Sequence, residues 1–336
     1  MTTILVTGGA GFIGTNYLID HRKRHPNDRL INVDCLTYAG NLENLASFED
    51  DKNYRFIHCD ITDRAALEKC IDEPFDHVVH FAAESHVDRS IEDASAFLKT
   101  NVIGTQNLID LARARSAERF VHVSTDEVYG SADDGGYFVE STPLAPNSPY
   151  SASKAASDML VRAAVVTHGF PGIITRCSNN YGPYQFPEKL IPLMISNVME
   201  GKPLPVYGDG QNVRDWIHVV DHCRGIDLAR TKGTLGSVYN FGARNETSNL
   251  NIIHQILERL EGSEDLITFV SDRKGHDKRY AIDPQLAEKE LGFEPSVTFS
   301  EGLASTIDWY VANRNWWEHI KSGAYREYYR TMYDGR

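Results

Sequence analysis

The sequence predicts an α/β protein, a doubly wound parallel sheet joined to a smaller, discontinuous C-terminal lobe. Three observations carry this. Short apolar runs alternate with amphipathic stretches through the first half, a glycine-rich turn links the first run to the first helix, and proline and glycine become denser after Cys177.

Composition narrows the classes. With 336 residues, 41% of them hydrophobic, the chain is long enough for a large core or two fused lobes. A formal charge of -13 argues against binding nucleic acid or an anionic membrane surface, while leaving room for a local basic pocket. Five cysteines without CxxC spacing read as reduced, buried thiols rather than a metal knot or a disulfide framework, so no metal is expected. No leader-like segment and no run of about 20 apolar residues is visible, which leads us to expect a cytoplasmic location.

In chain order, Thr3-Ile4-Leu5-Val6-Thr7 reads as a buried strand running into Gly8-Gly9-Ala10-Gly11-Phe12-Ile13-Gly14 and a helix to about residue 24. Gly8, Gly11 and Gly14, or Gly9, Gly11 and Gly14, satisfy a Rossmann dinucleotide pattern, in which bare backbone approaches a pyrophosphate at a helix N-terminus. The next strand, 30–33, ends in Asp34, twenty residues after Gly14. That carboxylate is placed to accept from an adenosine ribose and would repel a 2′-phosphate, so NAD is favoured over NADP; a turn cap is the plainer alternative.

Further strands are expected at 55–58, 77–81 and 120–123, with helices over 64–71 and 94–115 between them. Ligands of such sheets gather at the carboxyl ends of the strands. Asp60 and Ile61 are therefore candidates for the adenine edge, and Ala82, Ala83, Ser85 and His86 for cofactor and substrate, against ordinary loop roles. Asp88-Arg89 reads equally well as a local ion pair, and Asn101 as a partner for backbone groups. We place an NAD-binding domain at 1–178, with returns to the sheet near 213–246, and a substrate-binding lobe mainly at 179–336.

Two segments carry the chemistry. Ser124-Thr125-Asp126-Glu127-Val128-Tyr129-Gly130 follows a strand, and Tyr150-Ser151-Ala152-Ser153-Lys154 opens a helix on which Tyr150 and Lys154 share a face. A tyrosine with pKa about 10 becomes a useful base when cations favour its phenolate, and Lys154 is one turn away. Behind a dinucleotide fold the pair suits oxidation of an alcohol. Asp126 and Glu127 are not needed for that. In most proteins adjacent carboxyls are caps or solvated turns. They gain a task if a sugar is oxidised at carbon 4. Glu127 can then remove the acidified proton of carbon 5, and Asp126, kept protonated by its neighbour, can assist loss of the carbon 6 hydroxyl as water before hydride returns to carbon 6.

With these segments in place, the sequence resembles the extended short-chain dehydrogenase/reductase family, in the branch that dehydrates nucleotide-activated sugars. The resemblance extends through residues 36–42, 82–90, 176–183, 186–192, 204–216 and 275–283. It implies a tightly held NAD reduced and reoxidised in each cycle, and conversion of dTDP-glucose to its 4-keto-6-deoxy derivative. Thr125, Asp126, Glu127, Tyr150 and Lys154 are then catalytic. Matching motifs assign Phe12, Ile13, Asp34, Asp60, Ile61, Thr100 and Asn180 to NAD, beside the glycines and Ala82 and Ala83. They assign Ser85, His86, Thr125, Asn179, Glu188, Lys189 and Leu190 to the sugar nucleotide, together with Pro205, Val206, Tyr207, Arg214, Asn249, Arg273, His276 and Tyr280. Lys189, Arg214 and Arg273 suit a diphosphate, and Tyr207 a base. Lys274 departs from the proline usual in the family. A homodimer through helices near 93–115 and 150–168 is also implied. The rival readings are a nucleotide-sugar 4-epimerase, a dehydratase of UDP- or CDP-glucose, and a silent NAD-binding scaffold.

Overall fold

The computed structural model describes residues 1–132, 135–272 and 277–322, so Arg273, Lys274 and His276 lie outside the described residues. In chain order the strands are β1 (Thr3–Thr7), β2 (Arg29–Asp34), β3 (Tyr54–His58), β4 (His77–His80), β5 (Arg119–Thr125), β6 (Gly172–Cys177) and β7 (Asn179–Tyr181). They continue as β8 (Leu204–Tyr207), β9 (Val213–His218), β10 (Val238–Phe241), β11 (Glu246–Ser248), β12 (Ile267–Val270) and β13 (Arg279–Tyr280).

The main sheet runs β10-β6-β5-β4-β1-β2-β3, with every pair parallel. Its inner strands are almost wholly buried because both faces are covered, and alternate apolar side chains feed different cores. Leu5 and Val78 pack with Leu108, Ile109 and Val161 on one face. Ile4, Val6 and Val79 pack with Tyr17, Leu18 and Ile226 on the other. The chain winds outward from β1 in both directions, to β2 and β3 on one side and to β4, β5 and β6 on the other. The switch point therefore lies between β1 and β4, where the carboxyl ends diverge into a crevice.

The helix Pro149–His168 starts where the sequence indicates. Pro149 stands in its first turn, Ser148 and Ser151 form a reciprocal capping box, and Gly169 ends it in the left-handed conformation at φ 62°. The stretch 94–115 is not one uniform helix, because a π-helical segment, Leu98–Gly104, interrupts it.

The second lobe has its own core of Tyr181, Ile191, Trp216, Ile252, Leu303 and Trp317. Its sheet is built on β9, flanked by β11 and β13 with β7 also paired to β9, while β12 pairs with β8. Residues 213–246 divide between the lobes. β10 joins the main sheet beside β6, and helix Val219–Lys232 packs against it, whereas β9 stays in the smaller sheet. Among the described residues, no helix is long and apolar enough to cross a membrane.

Candidate active site

A cleft runs along the carboxyl ends of the main sheet. It is lined at one end by Gly11, Phe12, Ile13, Asp34 and Ile61, in the middle by Ala82, Ala83, Ser85 and Thr100, and at the other end by Thr125, Asp126, Glu127, Tyr150 and Lys154. Asn179, Asn180, Glu188 and Lys189 close it from the second lobe.

The glycine turn separates structural from ligand-facing demands. A Cβ on Gly8, which sits at φ 76°, would lie 2.5 Å from the Ala82 nitrogen, and one on Gly14 would lie 2.3 Å from the Gly8 carbonyl oxygen. These two glycines are required by the protein itself. At Gly11 a Cβ would meet only the Gly8 oxygen, at 3.4 Å. Gly11 lines the cleft and caps helix Phe12–Arg24, whose first turn holds no acidic residue. Bare backbone there is explained by close approach of an anionic group to the helix N-terminus, so the cradle fits a pyrophosphate.

Asp34 lines the cleft beside the glycine turn. Its two oxygens accept from the Ala10 and Leu36 backbone N–H groups at 2.9 and 2.8 Å. Burial raises its pKa, opposed by those two bonds. Each carboxylate oxygen has a further lone pair, so ribose hydroxyls can still be accepted. Asp60 is exposed and does not line the cleft; its carboxylate accepts from the Thr62 N–H at 2.8 Å.

The acid–base groups meet at the ends of β5 and β6. Thr125 caps the short 3-10 helix Asp126–Tyr129; its hydroxyl accepts from the Glu127 N–H and donates to Asp126 Oδ1, both at 3.3 Å. Asp126 is 2% exposed, and its Oδ2 has no hydrogen-bond partner among the described residues. Burial, then the negative charges of Glu127 and Asp215, push its pKa well above the usual carboxylate range. These surroundings favour its undissociated form.

Tyr150 lies deep in the same corner, and burial followed by the Glu127 charge raises its pKa; a hydrogen bond with Thr125 opposes the rise. Lys154 shares its helix face as expected, but its Nζ donates to the Val123 carbonyl at 2.8 Å. Burial pulls the lysine down to about 8. The sequence leads one to expect an ammonium that favours the phenolate; in the protein alone, desolvation of both groups works the other way.

On the substrate side, Lys189 donates to the Ser85 carbonyl at 3.0 Å. Glu188 is buried, with His86 at 3.6 Å and Arg89 at 3.2 Å. Burial raises its pKa while Lys189 and Arg89 oppose the rise. Leu190 begins the helix Leu190–Glu200. Pro205, Val206, Tyr207, Arg214, Asn249 and Tyr280 lie on the second lobe outside the lining of this cleft, and Val206 is packed into that lobe's core. Arg214 and Tyr280 nevertheless border the carboxyl pair. The guanidinium sits 4.3 Å from the Tyr280 ring centre, its charge acts on Asp126, and the charge of Glu127 acts on Tyr280.

Several lining residues escaped the sequence reading. Tyr38, Cys177, Gln185 and Phe186 line the cleft. Cys177 ends β6, so the strand-end rule could have found it. Asp215, buried and bound by the N–H groups of Ala243 and Asn245, gave no local signal. Asn101 takes the plainer role: its side chain clamps the Glu84 backbone at 2.9 and 3.0 Å.

Residues 5–306 match the model of the GDP-mannose 4,6 dehydratase family. The chain is 51% identical to the dTDP-glucose 4,6-dehydratase of Neisseria meningitidis, over 97% of this chain and 98% of that one. It is 46% identical to the Salmonella typhimurium enzyme of the same name, over 99% of each. Among solved structures, the dTDP-glucose 4,6-dehydratase of Bacillus anthracis in complex with NAD superposes with a TM-score of 0.89 at 49% identity, covering 96% of this chain and 100% of that one. A UDP-glucose 4-epimerase of Thermus thermophilus shares the fold at 29% identity and a TM-score of 0.85, covering 93% and 99%. The chain therefore belongs to the GDP-mannose 4,6 dehydratase family of extended short-chain dehydrogenase/reductases, and within it to the dTDP-glucose 4,6-dehydratases.

Proposed function

We propose that the protein is an NAD-dependent hydro-lyase that converts dTDP-glucose to dTDP-4-keto-6-deoxyglucose, a step of deoxysugar biosynthesis. The observation that carries this reading is the pairing of a buried Asp126, its Oδ2 without a partner among the described residues, with Glu127 beside Tyr150, in a cleft whose glycine turn fits a dinucleotide. Bound NAD supplies the two-electron acceptor at carbon 4 and donor at carbon 6, and in its oxidised form a positive ring that favours the Tyr150 phenolate.

In our reading the chain's own groups divide the proton transfers. Tyr150 takes the proton of the 4-hydroxyl, with Thr125 orienting the phenol and that hydroxyl. Lys154, anchored on Val123, supplies positive charge behind the phenol. Glu127 removes the proton from carbon 5 once a ketone stands at carbon 4. Asp126 then protonates the departing hydroxyl of carbon 6, a role that suits its unpartnered oxygen and the surroundings that favour its acid form. A proton returned to carbon 5 completes a dehydration with no net redox change.

We assign Phe12, Ile13, Asp34, Ile61, Thr100 and Asn180 to NAD, and Ser85, Asn179, Glu188 and Lys189 to the sugar and diphosphate, on their places along the cleft. Arg214 and Tyr280 border the far end, and Val206 acts there through its backbone, since its side chain is in the core. We further propose a homodimer through helix Pro149–His168 and the 94–115 stretch, which expose Leu98, Ile103, Met159 and Val166. The free cysteines fit a reducing, cytoplasmic location.

The test is to incubate the purified protein with dTDP-, UDP- and CDP-glucose in turn, without added NADH, and to follow the alkali-induced absorbance of a 4-keto-6-deoxy sugar. Turnover of dTDP-glucose above the other two is expected. No product from any of them, with folded and NAD-loaded protein, would overturn the reading, and epimerisation without dehydration would select the 4-epimerase.

A further inference from the structure

We propose that Trp316, on the last described helix of the second lobe, is a positioning residue for the cofactor, acting through Asn44 on the glycine turn. Asn44 is buried in the 3-10 helix Leu42–Phe48 of the first lobe. Its Oδ1 accepts from the Trp316 indole N–H at 2.8 Å, and its Nδ2 donates to the Ala10 carbonyl at 3.2 Å. The two polar ends of one amide thus join the lobes.

The Ala10 carbonyl and the Gly11 N–H belong to one rigid peptide plane. The carbonyl also accepts from the Asn41 N–H at 3.0 Å, and the Gly11 N–H donates to the Gly8 carbonyl at 3.2 Å. On the other side of Ala10, its own N–H binds Asp34. The face that Gly11 offers to the pyrophosphate is therefore fixed by a plane whose carbonyl is held by Asn41 and Asn44, and Asn44 is in turn held from the second lobe by Trp316. The ring of Trp316 is itself seated against Trp309 and Tyr184, at centroid distances of 5.0 and 5.9 Å. A cofactor that must be reoxidised where it was reduced needs a turn that does not loosen when the sugar site rearranges. This bond supplies the constraint without touching the reacting atoms.

The inference rests on the NAD reading of the cleft, and NAD bound to the purified wild-type protein establishes that separately. Holoenzyme carrying Trp316→Phe loses the donor and keeps an aromatic ring against Trp309 and Tyr184, though a smaller one, while Asn44→Asp keeps the acceptor for Trp316 and loses the donor to Ala10. Exchange of bound NAD against radiolabelled NAD is measured, alongside KM for dTDP-glucose at saturating NAD. Each variant is expected to exchange NAD roughly fivefold faster, the cost of about one neutral hydrogen bond, with KM for the sugar and the thermal midpoint in excess NAD unchanged. Wild-type exchange rates in Trp316→Phe would overturn the proposal. So would a rise in KM parallel to the faster exchange, which marks general loosening of the lobe; should Trp316→Phe not fold, Asn44→Asp alone decides by the same two readings.

Discussion

The oxidising pair and the eliminating pair proposed for this site are built on different kinds of scaffold. Tyr150 and Lys154 stand one turn apart on a 20-residue helix with a capping box and a left-handed glycine stop. Asp126 and Glu127 stand on a four-residue 3-10 turn, capped by the Thr125 hydroxyl at its start and by Gly130 at φ 86° at its end. The first pair is positioned by regular backbone, and its pKa values are governed mainly by burial. Burial dominates Asp126 as well, and the charges of Glu127 and of Asp215 and Arg214 on β9 adjust it further. On the proposed roles, the alcohol-oxidising pair is thus carried by the helix, and the eliminating pair by a short turn whose electrostatics draw on both lobes.

Tyr150→Phe should break this contrast from the oxidation side, with the first half-reaction slowed by about 10³-fold or more. Single-turnover formation of bound NADH checks it. Glu127→Gln should act on the other side, slowing release of water by roughly 10²–10³-fold while NADH formation stays within a few-fold of wild type. Equal loss of both steps would show that the two pairs are not separable.

Asp126→Asn should slow elimination by about 10²-fold and abolish its fall at high pH. The sign follows from the raised pKa: the acid form is present below the folded value and is lost as pH rises through it. The same shift costs stability. Above the ordinary carboxylate pKa the folded state holds a proton that the unfolded state releases, so stability falls as pH rises from there through the folded value. Asp126→Asn should therefore melt about 2 °C higher than wild type near neutral pH and converge with it below about pH 4, as read by thermal unfolding across pH. The smallest effect on the contrast is expected from Gly11→Ala. It should weaken NAD binding by roughly tenfold and slow both half-reactions alike in limiting NAD, with folding intact because no protein atom lies closer than 3.4 Å to the added methyl. Equilibrium titration with NAD checks it.

These contrasts also explain what could be read in advance. The glycine turn, Asp34 and the Tyr150 helix were legible because strand, turn and caps are set by neighbours in sequence. The place of Lys154 on the helix face was legible as spacing. Its bond to Val123 and its lowered pKa were not, since both depend on what covers it. The roof of the cleft was read only through family resemblance. Tyr184 takes φ 66° there, Gln185 is fastened by Tyr310, and Asn16 reaches across to Pro183, contacts that span up to 167 residues. Asp215 was missed for the same reason: its charge matters only because the fold brings β9 within electrostatic reach of Asp126.

The return of β10 to the edge of the main sheet has a consequence for how the chain comes off the ribosome. β6 lies between β5 and β10, so until residues 238–241 have emerged one of its edges offers unpaired N–H and C=O groups, flanked by the apolar side chains Ile173 and Ile174. Such an edge is a template for pairing with another chain. The NAD-binding half is thus complete only after more than two thirds of the protein has been synthesised, and a nascent chain stalled near residue 200 should depend on chaperones more than either a shorter or a longer one.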